Sequence, residues 1–193
     1  MAQAKGKTEG NDKGAKKDAI ALLKADHRQV EEWFEQFEKT ESEAKKRDLA
    51  TKICDALTVH ATIEEEIFYP AFLEATDDKD IHHEAEIEHE AAKRLIAEIQ
   101  ASSPDDEYFG SKVKVLSEMI KHHVKEEEQP DGMFAEARDS EMDLKALGEQ
   151  MAERKAELEG GSDDSDDSDE GDDESPKGKK SDKGRDSVRA SKR

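Results

Sequence analysis

At residues 59–70 the chain reads Val59-His60-Ala61-Thr62-Ile63-Glu64-Glu65-Glu66-Ile67-Phe68-Tyr69-Pro70. His60 and Glu64 are four residues apart, about one helical turn, so both side chains leave the same face of a helix. Ile53 and Leu57 share that face, which is therefore predicted to be buried. A histidine and a carboxylate within a buried face cost free energy unless a partner satisfies them.

Three other segments repeat this pattern of polar side chains in an apolar helical stripe. His27 lies between Leu23 and Val30, His89 lies between Ala85 and Ala92, and the pair His123/Glu127 continues an apolar stripe that begins at Leu116. Four helices that each direct a histidine inward, two of them with a carboxylate as well, are typical of a metal site in the core of a helical bundle.

The periodicity predicts an all-α fold whose helices end at proline and turn signals. The four main helices are predicted from Ala19 to Thr40 with Asp18 as N-cap, from Ser42 or Ala44 to Tyr69, from Ile81 to Ser102, and from Pro104 or Asp105 to Glu128. Pro70 sets the second end because it disfavours helix in the residue before it. Pro130 predicts a break after the fourth helix, followed by a short helical piece at 133–137 and an outer amphipathic helix at 143–158.

Composition predicts one folded region between two polar ends. Of the 193 residues, 42% are charged and only 33% hydrophobic, which is too little to bury the whole chain. We expect a disordered basic arm at 1–17, the helical bundle at 18–158, and a disordered acidic-then-basic tail at 159–193. The tail is interpreted either as a solubilising extension or as the contact site of a protein partner.

Several classes of function are disfavoured. A net charge of −20 argues against nucleic-acid binding by the folded region, because phosphate contacts need a basic face. No apolar run approaches the roughly 20 residues of a membrane span, and the Lys- and Gly-rich N-terminus lacks a secretory signal. The one cysteine, Cys54, excludes an intramolecular disulfide. A cytoplasmic protein is the resulting expectation.

The candidate metal ligands are imidazoles and carboxylates: His27, His60, Glu64, His89, His123 and Glu127. Imidazole binds iron, zinc and copper, and carboxylates suit oxidised iron and can bridge two ions. Glu86 and His82 continue the line of His89 and are further candidates, and Glu128 competes with Glu127. The alternative is a structural bundle whose histidines are satisfied by hydrogen bonds, which would fold stably without metal.

These motifs resemble the hemerythrin/HHE cation-binding domain family. The resemblance rests on Asp26-His27, on the stretch from His60 to Pro70, on Ile87-Glu88-His89-Glu90 and on His123-Xaa3-Glu127, and it spans about 18–137. It implies an up-down four-helix bundle with a non-haem diiron centre. By that resemblance His27, His60, His89 and His123 are terminal ligands of two iron ions, which Glu64 and Glu127 bridge.

One departure from the family's oxygen carriers bears on function. Those proteins place a second histidine four residues before the one at His89, where this chain has Ala85, so its site is richer in carboxylate. We therefore expect a diiron protein that binds or senses dioxygen, nitric oxide or peroxide, or that handles iron under oxidative or nitrosative stress. Peroxide decomposition is the enzymatic alternative, and a metal-gated interaction scaffold acting through the charged tail is the third.

Overall fold

The computed structural model describes residues 17–161, and every regular element in that range is helical. The elements are α1 (Ala19–Lys39), α2 (Glu43–Ile63), a π-helical turn (Glu64–Phe68), α3 (Tyr69–Thr76), α4 (Lys79–Gln100), α5 (Phe109–Glu128), α6 (Met133–Asp139) and α7 (Leu144–Gly160). The predicted all-α fold is confirmed. Nearly all of the predicted basic arm and charged tail lies outside the described residues. No helix within 17–161 has the length and apolarity needed to cross a membrane.

Four long helices pack in a ring. α1 packs on α2, α2 on α4, α4 on α5, and α5 returns to α1. Because short connections join successive helices, neighbours in the ring run antiparallel, which is the predicted up-down four-helix bundle. α7 packs along α1 and α2 and also meets the π-helical turn, so the predicted extra C-terminal helix is present.

Side-chain caps explain where most of these helices begin. Asp18 accepts a hydrogen bond from the Ala21 backbone N–H at 2.7 Å, which confirms it as the N-cap of α1. Ser42, Asp78 and Asp143 cap α2, α4 and α7 in the same way. Each cap satisfies a backbone donor that the first helical turn leaves without a partner.

The second predicted helix does not end at Tyr69, and that prediction is wrong. The chain stays helical through Pro70 to Thr76 because the π-helical turn precedes the proline. In this turn the Tyr69 N–H donates to the Glu64 carbonyl, five residues back. The wider turn relieves the clash between the proline ring and the preceding carbonyl, and the missing N–H falls where regular α-helical bonding is already interrupted.

The fourth predicted helix begins later than expected and ends as expected. Residues 104–108 form turns, and Asp106 caps the Ser103 N–H at 2.9 Å instead of starting the helix, so α5 begins at Phe109. α5 ends at Glu128, and the following turn folds tightly against it. A Cβ on Gly132 would collide with the Glu126 carbonyl, so glycine is required for this close approach.

Two apolar layers occupy the two ends of the bundle. One joins the start of α1 to the π-helical turn, α3, α6 and α7, and includes Leu23, Phe72 and Met151. The other joins the end of α1 to the far halves of α2, α4 and α5, and includes Phe34 and Ile53. The histidines of the apolar stripes lie between these layers, so the bundle holds a polar layer inside its core.

The close approach of α7 to the start of α1 makes Gly148 a test of this packing. A Cβ at Gly148 would lie 2.5 Å from the Lys17 carbonyl oxygen and 2.7 Å from the Ala19 nitrogen. We predict that Gly148→Ala lowers the free energy of unfolding by about 1–3 kcal/mol, because overpacking moves α7 away from α1. Gly160→Ala is the control in the same helix, since its Cβ would meet nothing within 4 Å. Equal urea-unfolding curves for the two variants would contradict this packing.

Candidate metal centre

Six polar side chains converge in the middle of the bundle. They are His27 on α1, His60 on α2, Glu64 at the start of the π-helical turn, His89 on α4, and His123 and Glu127 on α5. We call these six residues the inner cluster. Glu64 is completely buried and the other five are at most 6% exposed. Burial of this many ionisable groups is uncommon without a compensating partner.

The inner cluster contains two pairs of histidines. The Nε2 atoms of His27 and His60 are 3.1 Å apart, and those of His89 and His123 are 3.2 Å apart. Each pair presents two ring nitrogens to a common point. The structure thus offers two neighbouring sets of imidazole donors.

Each carboxylate of the inner cluster lies between the two histidine pairs. Glu64 Oε2 is 3.2 Å from His60 Nε2 and 3.4 Å from His89 Nε2. On the opposite side, Glu127 Oε2 is 3.4 Å from His27 Nε2 and Glu127 Oε1 is 3.6 Å from His123 Nε2. A carboxylate in this position can join two sites, since it reaches one histidine from each pair.

The chemistry of these donors fits a bound cation. Neither oxygen of Glu64 has a hydrogen-bond partner, and neither does Glu127 Oε2, although all three atoms are buried. The cost of leaving such acceptors unsatisfied in a protein interior is large. A metal ion between the carboxylates and the imidazoles would satisfy them together.

The pKa values of the inner-cluster side chains reflect the close packing of these buried ionisable groups. Burial lowers the pKa of His60, but the charge of Glu64 and the hydrogen bonds of Asp26 and Glu64 together outweigh it and raise the pKa to about 10. Burial also opposes protonation of His89, whose pKa the carboxylates nevertheless raise to about 9. Burial and the nearby charge of Glu64 raise the pKa of Glu127 to about 8. The metal-free cluster therefore holds protons that a cation would displace.

A second set of acidic residues supports the histidines from outside. The Nδ1 atoms of His27, His89 and His123 lie 2.9, 2.9 and 2.7 Å from carboxylate oxygens of Glu128, Glu65 and Glu88, and His60 Nδ1 lies 3.7 Å from Asp26. We call Asp26, Glu65, Glu88 and Glu128 the outer carboxylates. An acceptor at Nδ1 favours the tautomer with its proton there, which leaves Nε2 free to bind a metal.

The outer carboxylates follow a regular rule. Each is the sequence neighbour of an inner-cluster residue on its own element, yet it contacts the histidine of the next helix around the ring. Asp26 precedes His27 and approaches His60, while Glu88 precedes His89 and contacts His123. One residue advances a helix by about 100°, which turns a side chain from the centre toward the adjacent helix.

Basic side chains neutralise three of the four outer carboxylates. Lys155 Nζ is 2.6 Å from Asp26, Lys93 Nζ is 2.6 Å from Glu65, and Lys24 and Arg28 contact Glu128 at 3.0 and 2.6 Å. Lys155 comes from α7, so the added helix contributes to the surroundings of the site. From the centre outward, an inner carboxylate, an imidazole, an outer carboxylate and a basic side chain therefore follow one another at these three positions.

Tyr69 is an uncharged polar group inside the site that the sequence analysis did not identify. Its hydroxyl lies 3.1 Å from His89 Nε2 and donates to Glu127 Oε1 at 3.4 Å, and the residue is 1% exposed. Burial and the two inner carboxylates raise the pKa of Tyr69 well above its usual value. The phenol therefore stays protonated and acts as a hydrogen-bond donor at the edge of the cluster.

The structure brings together six of the seven residues proposed as ligands, and Glu86 is the exception. The Glu86 side chain is 54% exposed and lies 3.6 Å from His82 Nδ1 on the outer face of α4. Ala85 takes the inward position one residue earlier and is buried, which turns Glu86 away from the centre. His82 packs edge-on against Tyr69 and is also outside the inner cluster.

The geometry also shows where two other acidic residues lie. Between Glu127 and Glu128, Glu127 points inward and Glu128 contacts the outer nitrogen of His27. Glu65 is half-buried against His89 and Lys93. The sequence signal that could have identified the outer carboxylates is their position, because each lies directly next to a predicted ligand.

Comparison with known proteins matches residues 18–135 to the family model described as Hemerythrin HHE cation binding domain. A curated protein from a Nostoc species, named DNA nickase, is 29% identical over 136 residues. The match covers 69% of this chain and 37% of that protein. The crystal structure of a hemerythrin HHE cation-binding domain-containing protein from Mycobacterium kansasii gives a TM-score of 0.63 at 21% identity, over 75% of this chain and 89% of that one.

The raised pKa values predict a pH effect on the metal-free protein. Protonation of His60 and His89 stabilises the metal-free fold below their unfolded pKa of 6.5, and this stabilisation is lost as pH rises through about 9 to 10. Glu127 acts in the same sense, with loss as pH rises from 4.5 through about 8. We predict that the melting temperature of the chelator-treated protein falls from pH 7 to pH 10.

The metal-loaded protein is the control for this prediction. Its melting temperature should change less over the same pH range, because bound ligands are already deprotonated. Thermal unfolding followed by circular dichroism in both states is the measurement. Parallel pH profiles for the two states would contradict the assignment of buried protons to the inner cluster.

Proposed function

Because this chain belongs to the hemerythrin HHE cation-binding domain family, we propose that the inner cluster binds two iron ions bridged by carboxylates. The observation that carries the proposal is the position of Glu64 and Glu127, each between two histidine pairs and each with a buried oxygen that lacks a hydrogen-bond partner. His27 and His60 would hold one ion, and His89 and His123 the other.

The proposed ligand of this centre is dioxygen, nitric oxide or peroxide. Six protein donors shared between two ions leave coordination positions for such a molecule, and bound iron would supply the redox chemistry. The chain's own contribution is to limit the access of water from the two ends of the bundle, since apolar layers lie on both sides of the inner cluster. The outer carboxylates orient the imidazoles so that Nε2 faces the centre. A role in handling iron under oxidative or nitrosative stress would use the same site.

Peroxide turnover is the second candidate function, and Tyr69 favours it. A buried phenol that donates a hydrogen bond beside His89 and Glu127 is positioned to protonate a small oxygen ligand. The same hydroxyl would stabilise a ligand that binds without reacting. The two functions therefore share a site and differ in whether the proton is transferred.

The relative named DNA nickase raises nucleic acid as another substrate. This chain spans 37% of that protein, so the region they share is one part of the longer chain. A net charge of −20 disfavours contact with phosphates by this chain alone. Incubation of the iron-loaded protein with supercoiled plasmid tests whether nucleic acid is a substrate. Nicking of the plasmid would contradict our proposal of a small ligand.

The scaffold alternative depends on the charged tail, nearly all of which lies outside the described residues, so this alternative stays a prediction. Cytoplasmic location also stays a prediction. Deletion of residues 160–193 distinguishes the scaffold hypothesis from the diiron hypothesis. Loss of cellular function with intact metal content would favour the scaffold.

Metal content of point variants tests the diiron proposal. We expect about two iron ions per wild-type chain, with visible absorption that bleaches on reduction. His60→Ala and Glu64→Ala should lose metal and melt at a lower temperature, because each removes a donor and leaves other buried polar groups unsatisfied. His83→Ala, at an exposed position on α4, is the control and should retain both ions. Unchanged metal content in His60→Ala and Glu64→Ala would contradict the proposal.

Substitution of Tyr69 distinguishes turnover from binding. If the centre decomposes peroxide, Tyr69→Phe should retain its iron but consume peroxide more slowly, on the order of a hundredfold, because a proton donor is lost. Tyr108→Phe is the matched control, since that tyrosine is 66% exposed. Equal rates in the two variants would exclude proton donation by Tyr69, and no consumption by the wild type would exclude turnover.

A further inference from the structure

One of the four outer carboxylates differs from the others in its surroundings. Glu88 has no lysine or arginine within salt-bridge distance among the described residues. Its Oε2 atom contacts His123 Nδ1 at 2.7 Å, and its Oε1 atom lies 3.4 Å from His122 Nε2. The position that a basic side chain fills beside the other three outer carboxylates is occupied here by a histidine with a second acidic neighbour.

That second neighbour completes a group of three metal-ligating side chains. Glu126 Oε1 is 3.2 Å from His122 Nε2, and ligand atoms of Glu88, His122 and Glu126 all lie within 4.8 Å of one another. We call these three residues the peripheral trio. Their side chains are 22%, 58% and 33% exposed, so water can supply the remaining ligands of an ion held there.

A cavity of about 110 Å³ is lined by residues of both the peripheral trio and the inner cluster. Glu88 and Glu126 line it, together with Glu84 on α4 and Asp131 in the turn after α5. At its inner side it reaches His123 and Glu127. Glu127 is 2% exposed, and its Oε2 atom, which has no hydrogen-bond partner, lies 3.4 Å from His27 Nε2 within the inner cluster.

The charge of the cavity favours cations over anions. Among the described residues that line it, five are acidic and none is a lysine or arginine. Clefts lined by one sign of charge concentrate ions of the opposite sign and accelerate their capture. Carboxylate oxygens and an imidazole are ligands that a divalent first-row metal ion accepts.

We propose that the peripheral trio is a second divalent-cation site, which captures Fe²⁺ at the surface and delivers it through the cavity to the inner cluster. The delivery step rests on the proposed function of the inner cluster, whereas cation binding at the trio does not. The site is partly exposed and has few protein ligands, so it holds the ion weakly and exchanges it rapidly. Glu88 belongs to both sites, because one oxygen faces the trio and the other contacts His123.

Manganese binding to the iron-loaded protein tests the peripheral site directly. With the inner cluster filled, titration with Mn²⁺ followed by electron paramagnetic resonance should detect one bound ion per chain that the double variant His122→Gln/Glu126→Gln lacks. Neither residue belongs to the inner cluster. Glu118→Gln, which removes a charge from an exposed position on α5, is the control and should bind as the wild type does. Identical binding by the double variant and the control would overturn the site.

The rate of iron uptake tests delivery. After chelator treatment, Fe²⁺ is added without oxygen, and bound iron is measured against time. The double variant should reach the same final iron content about tenfold more slowly than the control, since the acidic site no longer concentrates the ion. Equal uptake rates would overturn delivery.

The two experiments separate this inference from the proposed function. A wild type that retains no iron in the inner cluster refutes the diiron proposal and, with it, delivery. In that case the Mn²⁺ titration still decides whether the peripheral trio binds a cation. A wild type with two iron ions and equal uptake rates refutes delivery alone.

Discussion

Two carboxylates buried at the centre of the bundle are the constraint on which the rest of the structure depends. Glu64 and Glu127 are 0% and 2% exposed, and a charged carboxylate is costly in such a place. Four imidazoles surround them, and the outer carboxylates face the far side of each ring. Each layer carries the groups that compensate the charges of the layer inside it. Replacing a layer with apolar residues would therefore leave the polar groups of the layer inside it without partners.

The π-helical turn determines which side chains between α2 and α3 point toward the centre of the bundle. In an α-helix, a residue five positions further along points to a different face, but the wider π-turn, in which the N–H of residue i+5 bonds to the carbonyl of residue i, brings the two residues closer to one face. Tyr69 therefore stays beside the centre with Glu64, five residues before it. The same turn admits Pro70 without ending the helix, which continues to Thr76 and places Phe72 in the apolar layer. A local irregularity thus serves both the site and the adjoining core.

α7 lies beyond the region that matches the family model and still contributes to the site. It packs on α1 through the close approach at Gly148. Lys155 reaches Asp26, the outer carboxylate nearest His60, and Arg154 binds Glu66 at 2.7 and 3.2 Å. Asp26 directly precedes His27 in sequence, and Glu66 lies two residues after Glu64. The added helix therefore stabilises the outer layer on one side of the bundle, while the side with Glu88 remains acidic.

The amino-acid sequence by itself determined the helices, the apolar stripes and the inward histidines, because helical periodicity places each side chain on a face without reference to any other segment. Five of the six side chains that converge were identifiable for that reason, whereas Glu127 competed with Glu128. Tertiary structure decided what depends on how one helix is rotated against the next. It placed Glu127 inside and Glu128 outside, turned Glu86 to the surface, and paired each outer carboxylate with a histidine on the neighbouring helix. Such contacts join residues distant in the chain, so a local pattern can mark a candidate carboxylate but does not identify the histidine that it contacts.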